Sequence, residues 1–598
     1  MSAAAITFCA LVVAFLAARA ALRRRGVLLL GRSGRQLAPA VLASLWIGGL
    51  LIGEVTGSVA GMAVAGALVL LAVALISRRR FARLKLRRSL WTGLDWALFL
   101  FIAVVFWAVD LWDLGTREVI VVQYLHGNIP PAAINDPRFP LAYHSLYDAL
   151  TAVVLTAAPI DLQTALAIVS TACVALTLTN LQAVTRSLFS RLPVAQLGRG
   201  LFMLGFGPVF IRCAARGWDP TEMHGQTAQA YVDLILRRPA GLGFALFTLA
   251  LALILPCYGA SDAAGPARRR AVGRLVWLVP TLVLLPQMAE EAVPFLLVFL
   301  APLALARRLS AQMIGLLVLA ALVGVARSGV FLGVFGHHAM ATPAMHFGWP
   351  PRLPTWAVEQ TGVSLLSRRA SAFYWLELGP VFLTALVVAL AGRDGRRRVL
   401  GLAFLVGLAV AVFADGGSWK KSDMDRFIFY GTPPVFMLAA DLPDRIWRAL
   451  RGSGARPVPA AVLATFGLVI CGPTVVYPGW QARVRLEEGF RAHTLGGDLR
   501  RTLRAAGPRQ PILTTVERAN ALVMAGFSVI APLDTNAVGE VTIEHFDSYV
   551  RANAGRAVWL FLPAGDPRVA GRRVLGRDGG YVLVPGPAAP ATIEANSR

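Results

Sequence analysis

Residues 112–150 read WDLGTREVIVVQYLHGNIPPAAINDPRFPLAYHSLYDAL and follow directly on a long apolar run. This stretch brings acids, histidines and prolines into a chain that is 56% hydrophobic and only 15% charged. A soluble globular domain carries about 25% charged residues. The composition therefore indicates a polytopic membrane protein, in which the polar stretch is a large loop at the membrane surface.

Apolar runs of about 20 residues, the length that an α-helix needs to cross a bilayer, recur along most of the chain. They predict an all-α polytopic membrane protein with about fourteen transmembrane helices, the last of which ends near residue 475. The predicted spans are residues 3–18, 37–53, 57–77, 91–109, 160–185, 198–213, 240–257, 274–288, 291–306, 311–335, 373–391, 399–414, 428–442 and 457–475.

The formal net charge of +25 is explained by the positions of the arginines. Basic residues cluster at 19–35, 78–88, 186–199, 268–274, 307–308, 393–398 and 445–456. Threading the predicted spans puts all of these clusters on one side of the membrane, which the positive-inside rule identifies as cytoplasmic. The loops 110–159, 214–239 and 336–372 and everything after residue 476 then lie outside. The charge thus indicates membrane topology, and we expect no nucleic-acid partner.

The chain divides into four predicted parts. Residues 1–90 are an accessory N-terminal transmembrane bundle, and residues 91–475 are the membrane core. Residues 476–585 are a small extracytoplasmic α/β domain, because the short β-like runs PILTTV, FSVIAPL, RAVWLFLP and YVLVP alternate there with helical segments. Residues 586–598, rich in Pro and Ala, are expected to be a disordered tail.

Three acids follow the predicted span 91–109 closely: Asp110, Asp113 and Glu118. A carboxylate at such a boundary meets water and is partly enclosed by aromatic neighbours such as Trp112. It suits a general base, which must be ionised and within hydrogen-bond reach of the hydroxyl that it deprotonates. The alternative is that these acids form only the solvated end of a helix.

In order and spacing, this loop resembles the first large outer loop of the GT-C superfamily of membrane glycosyltransferases, which includes mannosyltransferases and aminoarabinose transferases. The matching features are Asp113, the predicted helix 115–126, Gly127 and the Pro-containing turn 139–144. The sequence departs from the usual pattern at Leu114, where many members have a second acid. It departs again in the turn, where Pro140-Leu141 stands for a Pro-Pro-Leu.

The resemblance implies a GT-C fold, a polyprenyl-phosphate sugar donor and a catalytic Asp in this loop. By that match Asp113 is the first candidate for the base and Asp110 the second. Glu118 and the turn residues Tyr143 and His144 are then expected to bind substrate.

Acids in two further outer regions are candidates for binding the sugar. In the loop 214–239, Asp219, Glu222 and His224 could position it, and carboxylate oxygens there suit a divalent cation such as Mg²⁺ or Mn²⁺. The alternative for Asp219 is an Asp-Pro turn that caps the following helix.

Glu290 and Glu291 fall between two closely spaced spans, where an ionised acid near lipid costs about 2.5–3.5 kcal/mol. They either bind sugar hydroxyls or mark a short hairpin exposed to water. No other metal or cofactor is indicated, because the loop histidines His337, His338 and His346 lack the spacing of a metal site.

The segment GSWKKSDMDRFIFYG, residues 417–431, places Lys420, Lys421 and Arg426 just before a predicted span on the outer side. Basic residues there run against the positive-inside trend, which favours a functional role. Cations at this position could neutralise the phosphate that leaves with the lipid as the sugar is transferred. The alternative is a surface cluster that touches anionic lipid headgroups.

Together these features predict a glycosyltransferase of the bacterial inner membrane that moves a sugar from a polyprenyl phosphate to an extracytoplasmic glycan, lipid or protein. Asp113 is expected to face Lys420, Lys421 and Arg426 across one cavity at the membrane surface. A transporter or lipid flippase, or a GT-C-like scaffold without catalysis, remains an alternative. Polar residues gather in outer loops rather than in broken helices at mid-membrane, which favours the transferase.

Overall fold

The computed structural model of the chain is mostly helical, with a small sheet near the C-terminus. It describes residues 53, 56–64, 92–108, 120–121, 123–125, 129, 145–158, 160, 162–205, 239–259, 275–289, 291–328, 346–347, 368–415, 426–452, 456–472, 475, 512–515, 518, 522, 529–530 and 559–586.

The helices follow the apolar runs of the sequence, because a helix satisfies its backbone hydrogen bonds internally whatever surrounds it. They are α1 Gly93–Ala108, α2 Leu146–Ala157, α3 Leu162–Leu188, α4 Leu192–Leu204, α5 Pro239–Gly259, α6 Leu278–Leu284, α7 Ala292–Leu305, α8 Ala311–Ala326, α9 Arg368–Ala391, α10 Gly395–Phe413, α11 Arg426–Phe429, α12 Thr432–Leu438, α13 Leu442–Arg451 and α14 Ala460–Gly472. Short 3₁₀ turns flank α6 and connect α12 to α13.

In the described part of the chain, two helices are long and apolar enough to cross a membrane: Thr164–Leu188 and Ala240–Tyr258. Most of the remaining apolar helices are shorter, at 10–17 residues. Large apolar side chains stand exposed on several of them, among them Val104, Leu297, Leu322 and Leu468. An exposed apolar surface of this kind is what contact with lipid requires.

Most of the described helices from α3 onward begin and end within a few residues of the predicted spans. The clearest difference is α4, which begins at Leu192 rather than at the predicted residue 198. Pro193 fits the first turn of this helix, where no backbone N–H is needed. Arg199 lies inside the helix because its charge is paired there, as described next.

Arg199 was predicted to belong to a cytoplasmic basic cluster, but the structure buries it, leaving 2% of its side chain exposed. Its guanidinium donates to both carboxylate oxygens of Asp95 on α1, at 2.6 Å from Nε and 3.1 Å from Nη2. The Asp95 Oδ2 oxygen also accepts hydrogen bonds from Gln182 and from the backbone and hydroxyl of Thr92. The pair therefore joins α1, α3 and α4 inside the bundle.

One end of the bundle is rich in arginine, and we call it the arginine end, defined by Arg191, Arg396, Arg397, Arg445 and Arg448. These residues come from the starts of α4 and α10 and from α13. Arg191 and Arg397 pair with acids at the start of α13, and Arg396 donates to the Ser187 carbonyl at the end of α3. Parts of three basic clusters that are distant in sequence thus meet in space. The prediction that these clusters share one membrane face requires them to lie together in this way.

The helix ends that border the long predicted loops lie at the opposite end, which we call the loop end. The helix α1 starts near the arginine end, where its first turn meets α3 and α4, and it ends at Ala108 on the other side. In contrast, α5 runs the opposite way, because its Tyr258 ring approaches Gly395 at the start of α10. The loop end therefore holds the end of α1, the start of α5 and the end of α10.

The strands β1 His346–Phe347 and β2 Ala414–Asp415 form a two-stranded sheet. The C-terminal part forms a five-stranded sheet from β3 Ile512–Thr514, β4 Val529–Ile530, β5 Trp559–Pro563, β6 Gly576–Asp578 and β7 Tyr581–Pro585. Its strand order is β4-β3-β5-β7-β6. β3 is parallel to β4 and β5, whereas β5–β7 and β6–β7 are antiparallel. The four apolar strands were predicted. The edge strand β6 was missed because its residues, GRD, carry no apolar pattern.

A tight hairpin explains how β6 pairs despite its polar sequence. Gly579 and Gly580 connect Asp578 to its partner Tyr581 and have positive φ values of 52° and 81°. Positive φ at both central residues is what a two-residue turn of type I′ needs. The turn thus sets the register of β6 against β7.

Candidate functional site

Few of the predicted site residues fall in the described part of the chain. Those that lie outside it are Asp110, Asp113, Glu118, Tyr143, His144, Asp219, Glu222, His224, Glu290, Lys420 and Lys421. Glu291 is described in full and Arg426 by its backbone as the first residue of α11. The roles assigned to all of these residues stay predictions. The tail 586–598 is described only at its first residue, and most of the accessory bundle 1–90 also falls outside.

The helices that flank the predicted loops nevertheless meet at the loop end. Glu291 stands directly before α7, and Phe295 lies one helical turn further on the same face. A methyl group placed on Gly431 would lie 3.2 Å from the Phe295 ring, and one placed on Gly407 would lie 2.6 Å from it. The start of α7 therefore packs between the end of α10 and the segment that follows α11.

The start of α11 joins the same group of elements. A methyl group on Gly407 would also overlap the backbone carbonyl of Phe427, the residue after Arg426. Both α7 and α11 therefore approach the same stretch of α10. Glu291 and Arg426, predicted to bind sugar and lipid phosphate respectively, are thereby held at the same end of the bundle.

The long loop 336–372 also reaches this end. His346–Phe347 forms a strand, β1, that pairs antiparallel with β2, Ala414–Asp415, immediately after α10. The register sets His346 opposite Asp415 and Phe347 opposite Ala414. His346, predicted to be a loop histidine without a metal, is therefore tied by its backbone to the end of α10 that lies at the loop end.

A cluster of aromatic side chains packs inside the bundle next to the loop end. Tyr430, one turn after Arg426, stacks on Phe244 of α5 with ring centroids 4.5 Å apart. Phe247 and Phe295 surround the same ring at 5.1 and 6.4 Å. The close approach needs Gly243, since a methyl group there would overlap the Tyr430 hydroxyl. This aromatic cluster fixes α5, α7 and the segment that follows α11 relative to one another.

The helix α2, which lies within the predicted first large loop 110–159, is held against the bundle by tyrosines. The Tyr147 hydroxyl donates to the Leu166 carbonyl at 3.0 Å and lies 2.6 Å from the Ser170 Oγ, both on α3. Tyr124, from the predicted helix 115–126, donates to Ser145 at the start of α2 at 2.9 Å. These contacts attach the loop that carries Asp113 to the bundle.

Sequence reasoning overlooked Asp148, the residue after Tyr147. It is fully buried within α2, where the surrounding sequence LYDALTAVV is otherwise apolar. A carboxylate on the inner face of an apolar helix is costly, which makes it a marker of function or of specific pairing. The signal available in the sequence was this single acid in an apolar run.

Among the described residues, no group of three or more His, Cys, Asp or Glu side chains is arranged to hold a metal ion. The acids predicted to hold Mg²⁺ or Mn²⁺ lie in the loop 214–239, outside those residues. The divalent cation stays a prediction.

The chain was compared with protein families, with curated proteins and with solved structures. No protein-family model matches the sequence, and no curated protein matches it. The fold is similar to the crystal structure of ArnT from Cupriavidus metallidurans bound to undecaprenyl phosphate, with 12% sequence identity and a TM-score of 0.47. That similarity covers 84% of this chain and 99% of the other.

Proposed function

We propose that this chain is an integral membrane glycosyltransferase of the GT-C type, which moves a sugar from a polyprenyl phosphate to an extracytoplasmic acceptor. The observation that carries the proposal is the meeting, at the loop end, of elements that border separate polar loops. The end of α1 leads into the loop of Asp113, the start of α7 follows Glu291, and α11 starts at Arg426. A bisubstrate site at a membrane surface needs such a convergence.

The proposed reaction is a single displacement at the anomeric carbon of the sugar. An acceptor hydroxyl attacks that carbon, its proton passes to the Asp113 carboxylate, and the bond from the sugar to the lipid phosphate breaks. The polyprenyl phosphate leaves with the bonding electron pair. Asp110 is the second candidate for the base, and a positioned base of this kind contributes about 10²–10⁴-fold to the rate.

The leaving phosphate is assigned to the basic segment. Lys420, Lys421 and Arg426 supply positive charge where negative charge develops, which lowers the barrier most when water is excluded. The sugar and acceptor are assigned to Glu118, Tyr143, His144, Asp219, Glu222, His224, Glu290 and Glu291. The carboxylates of Asp219 and Glu222 would also suit a divalent cation such as Mg²⁺ or Mn²⁺.

The membrane arrangement belongs to the same proposal. About fourteen spans cross the bacterial inner membrane, the arginine end faces the cytoplasm, and the loop end and the C-terminal sheet face outside. The arginine contacts between α4, α10 and α13 support this orientation, since they collect three of the predicted cytoplasmic clusters.

A reconstitution experiment tests the activity. Proteoliposomes containing the purified protein receive a radiolabelled polyprenyl-phosphate sugar and a lipid or glycan acceptor extract, and transfer is separated from movement of the label across the bilayer. We expect labelled acceptor. Movement of intact donor without labelled acceptor would favour a flippase, and neither product would favour a scaffold.

The phosphate role is tested by charge removal with a matched control. Replacing both Lys420 and Lys421 by Gln is expected to lower transfer at subsaturating donor by at least about tenfold, because charge-assisted contacts to phosphate are lost. The control is Lys85→Gln/Arg87→Gln, which removes two charges from a predicted cytoplasmic cluster. Equal losses in both variants would contradict the assigned role.

A further inference from the structure

A cavity of about 470 Å³ opens at the arginine end, away from the loop end. Its size is in the range of about 300–1,000 Å³ found for small-molecule sites. Four elements line it: the end of α3, the start of α4, the start of α10 and the helix α13. Its charged lining consists of Arg186, Arg191, Arg396, Arg397, Arg445, Arg448, Asp441 and Asp444.

The lining carries more positive charge than its acids can neutralise. Asp441 accepts hydrogen bonds from Arg397 at 2.6 Å and from Arg445 at 2.7 Å. Asp444 is shared in the same way by Arg191 and by Arg448, the latter at 2.8 Å. Each of these two carboxylates therefore serves two guanidinium groups. The surplus charge is available to an anion.

The two remaining lining arginines add to this surplus. Arg396 pairs with Asp394 beside the cavity at 3.1 Å, whereas Arg186 has no ion-pair partner among the described residues. Six lining arginines thus face two lining aspartates, or three acids when Asp394 is included. The cavity is strongly cationic on either count.

Backbone contacts hold several of these guanidinium groups in place. Arg396 donates to the Ser187 carbonyl and Arg397 donates to the Leu188 carbonyl at 3.1 Å, both at the end of α3. The Arg397 guanidinium also lies 5.4 Å from the Phe189 ring centroid. Arginines fixed in this way lose little entropy when an anion binds, which favours affinity.

The helix α13 indicates that the cavity lies at the depth of lipid headgroups. Arg445 and Arg448 share its cavity face with Asp441 and Asp444, whereas Ile446 and Leu450 point to the opposite side. Those two apolar side chains are 56% and 79% exposed. A short helix with one charged and one exposed apolar face is typical of a helix that lies in the membrane interface.

We propose that this cavity binds the phosphodiester headgroup of an anionic membrane lipid, with the acyl chains remaining in the surrounding cytoplasmic leaflet. The guanidinium groups match phosphate oxygens in charge and in hydrogen-bond geometry. Basic pockets between membrane helices on the cytoplasmic side are known to bind anionic headgroups. The site is separate from the proposed transfer site; it rests on the proposed membrane arrangement but not on the transferase chemistry.

Lipid binding to delipidated protein in detergent tests the proposal by native mass spectrometry. Phosphatidylglycerol is the probe and phosphatidylcholine the neutral comparison, and we expect tighter binding of the former. The variant Arg186→Gln/Arg448→Gln removes two lining charges, and each arginine near an anionic headgroup is worth about 1 kcal/mol, so affinity should fall roughly 25-fold. Arg186→Gln alone breaks no ion pair among the described residues and should cost about fivefold.

The matched control is Arg451→Gln/Arg456→Gln, which removes the same charge close to α13 but outside the cavity lining. We expect its phosphatidylglycerol affinity to stay within about twofold of the wild type. Equal losses in the two double variants, or equal affinity for the two lipids, would overturn the proposal. Displacement of the bound lipid by millimolar inorganic phosphate would also overturn it, by assigning the cavity to a soluble anion.

Discussion

The Asp95 carboxylate on α1 and the Arg199 guanidinium on α4 form an ion pair at 2.6 Å, with the two side chains 0% and 2% exposed. The pair lies one to two turns inside the arginine end, among α1, α3 and α4. Because α1 leads directly to the loop of Asp113, the pair anchors the helix that presents the proposed base.

Breaking this pair from one side should destabilise the bundle strongly. Arg199→Leu leaves the Asp95 carboxylate buried without its main partner, which costs about 3–5 kcal/mol. Thermal unfolding in detergent would show a large fall in melting temperature. The double variant Asp95→Leu/Arg199→Leu should recover most of the loss, since an apolar replacement leaves no buried charge. A double variant less stable than Arg199→Leu would contradict this account.

The approach of α5 to Tyr430 predicts a size limit at Gly243. The change Gly243→Ala places a methyl group against the Tyr430 hydroxyl and should cost about 1–3 kcal/mol of stability. Adding Tyr430→Phe removes the hydroxyl and should restore most of it. Gly315 on α8 is the matched control, because a methyl group there meets no atom within 4 Å. Gly315→Ala should stabilise by up to about 1 kcal/mol.

The turn after β5 predicts a pH dependence in the C-terminal sheet. Arg568 donates to the Asp566 carboxylate at 2.9 and 2.6 Å, and these hydrogen bonds hold the pKa of Asp566 below its usual value near 3.8. Because the pKa of Asp566 is lower in the folded state than in the unfolded state, its ionised form stabilises the fold above about pH 4. This stabilisation is lost as the pH falls through the pKa of the folded state.

The variant Asp566→Asn should therefore weaken the sheet at neutral pH, by no more than about 1 kcal/mol because the pair is screened by water. Hydrogen exchange of peptides covering β5 and β7 in the full chain measures the effect at pH 6 and, after correction for the intrinsic exchange rate, at pH 3. The difference between variant and wild type should shrink at the lower pH. A constant difference would show that another interaction is responsible.

Much of the helical layout could be predicted because each element's signal is local. An apolar run specifies a helix whatever it packs against, and α5 and α7 were predicted to within two residues. The start of α4 was misjudged because Arg199 was interpreted by its charge, and only a tertiary partner, Asp95, makes that charge compatible with the interior.

The same distinction applies to the site. The sequence marks polar residues in separate loops, but the meeting of the helices that border those loops depends on packing among Gly243, Phe295 and Tyr430, which no local pattern reveals. The cationic cavity was not predicted for a similar reason. Its arginines belong to basic clusters whose positions the positive-inside rule already explained.

The central claim is that Asp113 is the base of a sugar transfer, and a single-turnover transfer rate with saturating polyprenyl-phosphate sugar tests it most directly. The account predicts that Asp113→Asn lowers this rate by about 10²–10⁴-fold. Binding of the donor should change little, and Asp110→Asn should have a smaller effect. A wild-type rate in the Asp113→Asn variant would contradict the account.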